Sequence, residues 1–215
     1  MSEEHTVPEQ WEPQTEALSR ADTRVISRGS VKSAELEPRL VLARRTLGAF
    51  VIDNQHAPLK FEHAFEIAGS DRLKTGEIQI CSLVDDESGG IRAFTVALEY
   101  RGRESISQLC ESQPAYRKLR HVLFENGLVF RSATGATVSK VTIEPKVPAA
   151  LTVSADLRSG CVTITLRNIL LLGTMEYELT GERMDRAFIE SLAGLLSGRS
   201  AVFYTLAENT SPPGR

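Results

Sequence analysis

Apolar and polar positions alternate most clearly in the last third of the chain. Val162, Ile164 and Leu166 alternate with polar neighbours, and Met175, Tyr177 and Leu179 do the same. A period of two puts alternate side chains on one face of an extended segment, so both runs predict half-buried strands. A helix is predicted directly after them. Asp185 can accept from its first free amides, Phe188, Leu192, Leu195 and Leu196 recur on one helical face, and Gly198 supplies the stop.

The same reading extends upstream. Leu59, Phe61, His63, Phe65 and Ile67 predict a strand, and Ile78 and Ile80 open another. The acid- and glycine-rich run at 85–90 reads as a turn, after which Phe94, Val96, Leu98 and Tyr100 return as the second arm of a hairpin. Further strands are predicted over 128–131, 138–143 and 151–155, with Pro145 and Pro148 marking the corner between the last two. Ser33 is placed to cap a helix over 34–47, with Leu36, Leu40, Ala43 and Leu47 inward and Gly48 at its end. Extended structure is predicted to begin at Phe50. A helical region is predicted from about Glu104, divided at Pro114. Its second piece, Pro114 to Asn126, turns Ala115, Leu119, Val122 and Leu123 inward.

These elements predict an α+β fold with an antiparallel, curved or barrel-like sheet packed against about three helices. Residues 25–207 are assigned to that one domain, with lobes dividing near 127 and 128. Residues 1–24 read as a flexible acidic arm: Glu3, Glu4, Glu9, Glu12 and Glu16 outnumber Arg20 and Arg24, and Pro8 and Pro13 interrupt any helix. Trp11, the only tryptophan, either docks on the parent domain, stays solvated, or anchors the arm on a partner. Residues 208–215 read as a disordered tail.

Composition narrows the function more than the fold. The chain has 215 residues and a formal net charge of −3, against the basic balance usual for a nucleic-acid binder. Cys81, Cys110 and Cys161 are widely spaced, which suits reduced thiols and a cytoplasmic location better than a disulfide framework or zinc site. The longest dense apolar run, Ile169 to Leu172, is too short to span a bilayer, so no membrane insertion is expected.

Candidate chemistry is sparse. The segment GSDRLKTGE at 69–77 has lysine and glycine in the wrong order for a phosphate loop, and no serine stands three residues before any lysine to supply a β-lactamase-type nucleophile. On a strand, His63 and its neighbours Glu62 and Glu66 project to opposite faces, which opposes a metal site. Asp85, Asp86 and Glu87 lack calcium-loop spacing. A Cys110–His121 pair is conceivable, since such partners can be distant in sequence. No catalytic residue, metal or cofactor is assigned.

Two features point to binding instead. Arg117, Arg120, His121 and Phe124 share a helical face away from the apolar stripe, where they are either a solvated face or a grip for an acidic partner or phosphates. Arg39, Arg44 and Arg45 would extend that patch if the two helices packed side by side. Ile169, Leu170, Leu171 and Leu172 sit in a connection between strands, as a core plug or as an exposed lip. The leading expectation is a non-enzymatic protein-interaction module, an adaptor or assembly subunit, with a protein partner or self-association. The alternatives are a small-ligand binder or enzyme with a cavity between sheet and helix, and nucleic-acid binding through the basic helix face.

Overall fold

The computed structural model describes residues 22–25, 33–67, 71–88, 91–135, 138–199 and 201–208. In chain order they form β1 (Asp22–Val25), α1 (Ser33–Asn54), β2 (Leu59–Ile67), β3 (Asp71–Ser88), β4 (Ile91–Arg101) and β5 (Ile106–Cys110). There follow α2 (Gln113–Glu125), β6 (Phe130–Thr134), β7 (Ser139–Ile143), β8 (Lys146–Asp156), β9 (Cys161–Arg167) and β10 (Thr174–Thr180). A 3₁₀ turn (Gly181–Arg183), α3 (Arg186–Leu196) and α4 (Ala201–Glu208) complete the set.

The fold is α+β. Six antiparallel strands curl into a half-barrel, to which β1 adds in parallel on β10, giving the order β1-β10-β9-β8-β4-β3-β2. A second sheet has the order β5-β7-β6. Strand alternation builds the main sheet's buried face: Val96 and Leu98 of β4, Leu151 and Val153 of β8, and Val162, Ile164 and Leu166 of β9 are all buried. Helix α1 packs on β3, β4 and α3, and its stripe Leu36, Leu40, Ala43, Leu47 and Val51 is buried. The buried side chains form one continuous cluster.

Several elements depart from the sequence expectations. Helix α1 runs through Gly48 and Phe50 to Asn54, because Val51 continues the buried stripe and its packing outweighs the propensity cost of one interior glycine, about 1 kcal/mol. Residues 106–110 are strand rather than helix: they pair with β7 from Ile106 opposite Ile143 to Cys110 opposite Ser139. In α2 the buried residues are Tyr116, Leu119 and Leu123, whereas Ala115 is exposed and Val122 only partly buried. Pro148 lies within β8, opposite Glu99, so the corner falls earlier, at Glu144 and Pro145. The β3–β4 pairing continues through the acidic run to Ser88 opposite Ile91. Of the expected acidic arm, residues 1–21 with Trp11 lie outside the described residues, and Asp22–Val25 form β1. Of the expected tail, Glu208 closes α4 and residues 209–215 lie outside the described residues.

Helix α3 matches its predicted stripe and cap. The Asp185 carboxylate accepts from the Phe188 amide at 2.8 Å. At the other end the Arg199 amide donates to Gly194 O at 2.8 Å and that of Gly198 to Leu195 O at 3.1 Å, a Schellman closure with Gly198 at φ +82°. The ring of Phe61 lies 2.2 Å from where a Cβ on Gly198 would stand, so no larger residue fits. Leu192 is fully buried at the centre of this helix. Leu192→Ala is expected to cost about 2–5 kcal/mol through lost transfer energy and residual cavity. Chemical denaturation measures it, and a midpoint equal to the parent's would show that α3 is not docked through this face.

Candidate functional site

Helix α2 presents the predicted cationic residues together. Ser112 caps it by accepting from the Ala115 amide, and the buried Tyr116, Leu119 and Leu123 fix its rotation. That rotation leaves Arg117, Arg120, His121 and Phe124 exposed on the adjoining arc. Phe124 is 80% exposed. The Arg120 guanidinium lies over the Tyr116 ring, 5.5 Å from its centroid, and 6.0 Å from that of Phe130 on β6. Cations attract the negative faces of aromatic rings, so this arginine is held between two elements rather than left to wander. His121 Nε2 lies 3.1 Å from Glu125 Oε1, one helical turn on.

Arg39 and Arg44 do not extend this patch. Arg39 donates to the carbonyls of Gly181 at 2.9 Å and Glu182 at 2.6 Å. Arg44 grips Asp85 through two 2.6 Å bonds, and this holds the Asp85 carboxyl below the usual range. Both therefore brace α1 against its neighbours. Arg45 is exposed on the same helix.

The apolar run 169–172 lies in the loop between β9 and β10. Ile169 is fully buried, Leu170 and Leu172 are partly buried against the core, and Leu171 is 62% exposed. The loop is closed by Asn168, itself fully buried. Its amide donates to Gly173 O at 2.7 Å, and its Oδ1 accepts from the Gly173 amide at 2.9 Å. Its Nδ2 donates to Asn126 O at 2.9 Å and Pro148 O at 2.8 Å. One side chain thus ties the loop to the end of α2 and to β8. Arg167 adds a 3.3 Å bond to Glu125 O. Asparagine also suits the backbone there, since Asn168 has φ +52°.

Leu170 has φ +64°, a costly region for a leucine, and its surroundings hold it there. His63 Nε2 lies 2.6 Å from the Leu170 carbonyl. A carbonyl only accepts, so Nε2 carries the proton. His63 is therefore not aimed at a metal with Glu62 or Glu66. Its ring stacks on Phe61 at 5.9 Å and meets Phe65 edge-on at 4.6 Å. Tyr100 closes the cluster, 5.0 Å from Phe65. Burial pushes the Tyr100 hydroxyl well above the normal phenolic range, and a backbone hydrogen bond from Leu170 only partly opposes this. Burial also pushes Tyr204 up, to about 12.

The remaining chemistry is dispersed. Burial, then the charge of Glu99, pushes the Cys81 thiol up, which opposes thiolate formation. Cys110 is buried in β5, while His121 is exposed on α2 and engaged by Glu125, so the structure does not join them as a pair. Among the described residues no group of His, Cys, Asp and Glu is placed to hold a metal ion. No described helix is long and apolar enough to cross a membrane. An open groove of about 1140 Å³ runs along β2, β3 and residues 101–104. No helix lines it, so it is not the cavity between sheet and helix that the sequence suggested. Its charges include Lys60 and Glu77, which pair at 3.2 Å.

No family model matches the chain, and no curated protein or solved structure matches it. The site therefore rests on geometry alone. Asn168, Phe130 and Tyr100 were not singled out from the sequence. The one available signal was an asparagine and a glycine bracketing a four-residue apolar run, the pattern of a side-chain-closed loop.

Two expectations follow. Asn168→Ala removes three side-chain hydrogen bonds made from a fully buried position to partners on partly buried or exposed residues. A hydrogen bond contributes roughly 0.5–1.5 kcal/mol net, so a loss of about 2 kcal/mol is expected in denaturant unfolding. A parent-like midpoint would show that Asn168 does not clamp the loop. The second concerns alkali. A raised tyrosine pKa stabilises the fold fully below the free value, 10.0 for both groups, and is lost as pH climbs through the folded values. Stability should therefore be insensitive to Tyr100 and Tyr204 at neutral pH and fall above pH 10, with their ionisation accompanying unfolding. Tyrosinate absorbance against circular dichroism tests this; ionisation of all tyrosines in a folded chain would refute it.

Proposed function

We propose that this chain is a non-enzymatic interaction module that holds an acidic, aromatic-bearing segment of a protein partner on the outer face of α2. The observation that carries this reading is Phe124: a large apolar ring, 80% exposed, set among Arg117, Arg120 and His121. A single exposed apolar residue is ordinary on a protein surface. Here the ring shares its arc with two arginines, one of them preorganised over Tyr116 and Phe130. Arginine and aromatic side chains dominate binding energy at protein interfaces, because each offers wide apolar contact and directed polar contact together. Carboxylates would meet the guanidinium groups, and an apolar side chain would cover Phe124.

A protein segment is favoured over nucleic acid by charge. The chain carries a net −3, without the basic balance usual for a nucleic-acid binder. Three free cysteines suit a reducing compartment, and we place the module in the cytoplasm on that basis.

The probe is a labelled glutamate-rich peptide with one tryptophan, titrated into the full chain by fluorescence anisotropy. Binding should weaken at least about tenfold, a 1.4 kcal/mol loss, in Arg117→Glu with Arg120→Glu, and also in Phe124→Ala. Both variants should fold like the parent, since exposed substitutions usually shift stability by less than about 0.5 kcal/mol. Binding that ignores these changes would place the partner elsewhere. Preference for a single-stranded oligonucleotide over the peptide would replace this reading with nucleic-acid binding.

A further inference from the structure

Helix α1 is apolar on two opposite sides. Its stripe Leu36, Leu40, Ala43, Leu47 and Val51 is buried in the domain. At about 100° per residue, Pro38, Leu42, Arg45, Ala49, Ile52 and Asp53 fall on the opposite arc, with Val41 at its margin. All of them are exposed: Val41 by 58%, Leu42 by 42% and Ile52 by 64%. A surface helix ordinarily turns charged and polar residues outward, and a helix apolar all round is one that is covered all round. A Cβ on Gly48 would meet nothing within 4 Å, so the space beside Ala49 is open as well.

The charges on this arc point to the occupant. Arg44 pairs with Asp85 and Glu37 with Arg92, whereas no described residue pairs with Arg45 or Asp53. These two opposite charges stand on either side of Ala49, four residues from it in each direction. An antiparallel copy of the same helix, on a two-fold axis level with residue 47, sets Leu42 of each copy beside Ile52 of the other. The Arg45 stem of each then lies over Ala49 of the other. Asp53 of that other copy is one turn further on, ~6 Å at 1.5 Å per residue. Helical side chains lean toward their own N-terminus, so in an antiparallel pair Arg45 and Asp53 lean toward each other. Every contact occurs twice, as an isologous interface requires.

We infer that this face of α1 is a self-association surface, on which two copies of the chain pack α1 against α1 antiparallel through Leu42, Arg45, Ala49, Ile52 and Asp53. One helix pair is a small contact beside the ~1,600 Å² of a standard stable interface, so the dimer is weak, with a Kd on the order of 10–100 μM. Nothing in this contact involves α2, and it stands whether or not that helix holds an acidic partner.

The test is sedimentation equilibrium of the full chain, in reductant because Cys81 and Cys161 are exposed. The 23.6 kDa monomer should give way to twice that mass as concentration rises through ~100 μM. Arg45→Asp brings two carboxylates together at each end of the contact, and Asp53→Arg brings two guanidinium groups together there. Each should weaken the dimer about tenfold, and the two changes combined in one chain should restore it. Mixed with each other, the two single variants should associate more tightly than either does alone, since every altered charge then meets its opposite. Leu42→Ser with Ile52→Ser should also weaken the dimer about tenfold, with circular dichroism like the parent's. If that pair unfolds the chain, the charge reversals at the exposed positions decide alone. A chain that stays monomeric at ~1 mM overturns the inference. A dimer that ignores the α1 changes overturns it, as does one that the combined charge variant fails to restore. Loss of the dimer in Arg117→Glu with Arg120→Glu would overturn it by moving the contact to α2.

Discussion

A curled sheet has an apolar face that must be covered, and α1 packs against β3 and β4 of that sheet and against α3. The six antiparallel strands bury their apolar sets on one side, where water would otherwise contact Val96, Leu98, Leu151 and Ile164. Leu36, Leu40, Ala43, Leu47 and Val51 supply the covering stripe, and burying a leucine or valine side chain stabilises by roughly 1.5–3 kcal/mol. The approach is close: a Cβ on Gly181 would stand 2.9 Å from Leu36 Cδ1. Around this contact lie Arg39 on the 3₁₀ turn, Arg44 on Asp85, and the Glu37–Arg92 ion pair. These polar contacts are largely exposed and set orientation; burial supplies the energy.

Asn168 carries the consequence of that core outward. A loop that turns back between β9 and β10 places Ile169 under the sheet and bends the backbone into left-handed conformations at Asn168 and Leu170. Such conformations persist only where neighbours over-determine them. The Asn168 amide group, His63 and Tyr100 provide this from three different elements. The same asparagine holds Asn126 O, so the end of α2 is positioned by the main sheet although the helix packs on the smaller one. The C-terminal end of α2 is thereby tied to both sheets.

Strands were legible wherever one face is buried, because a period of two has few rivals: β2, β4, β9 and β10 lie where alternation placed them. Legibility failed where tertiary contact overrode local signal. Gly48 reads as a stop, yet Val51 still has a core to reach. Residues 106–110 carry no decisive period, and pairing with β7 determines their form. Helix α4 was missed because eight residues give two turns, and its place depends on Phe203 packing edge-on to Tyr177 at 5.4 Å. Helical spacing brought Arg117, Arg120, His121 and Phe124 together on paper, but the contact of Arg120 with Phe130 joins two elements and has no local signature.

Charge is distributed along this chain in a way that composition alone conceals. The whole carries 28 acidic and 25 basic residues, and the first 21 residues hold five of the former and one of the latter. What remains has 23 acidic and 24 basic residues, close to neutral. The net acidity therefore resides in residues 1–21, while exposed arginines gather on α2. A uniformly acidic surface would repel the acidic ligand argued for here. A near-neutral remainder with one cationic, aromatic face would not.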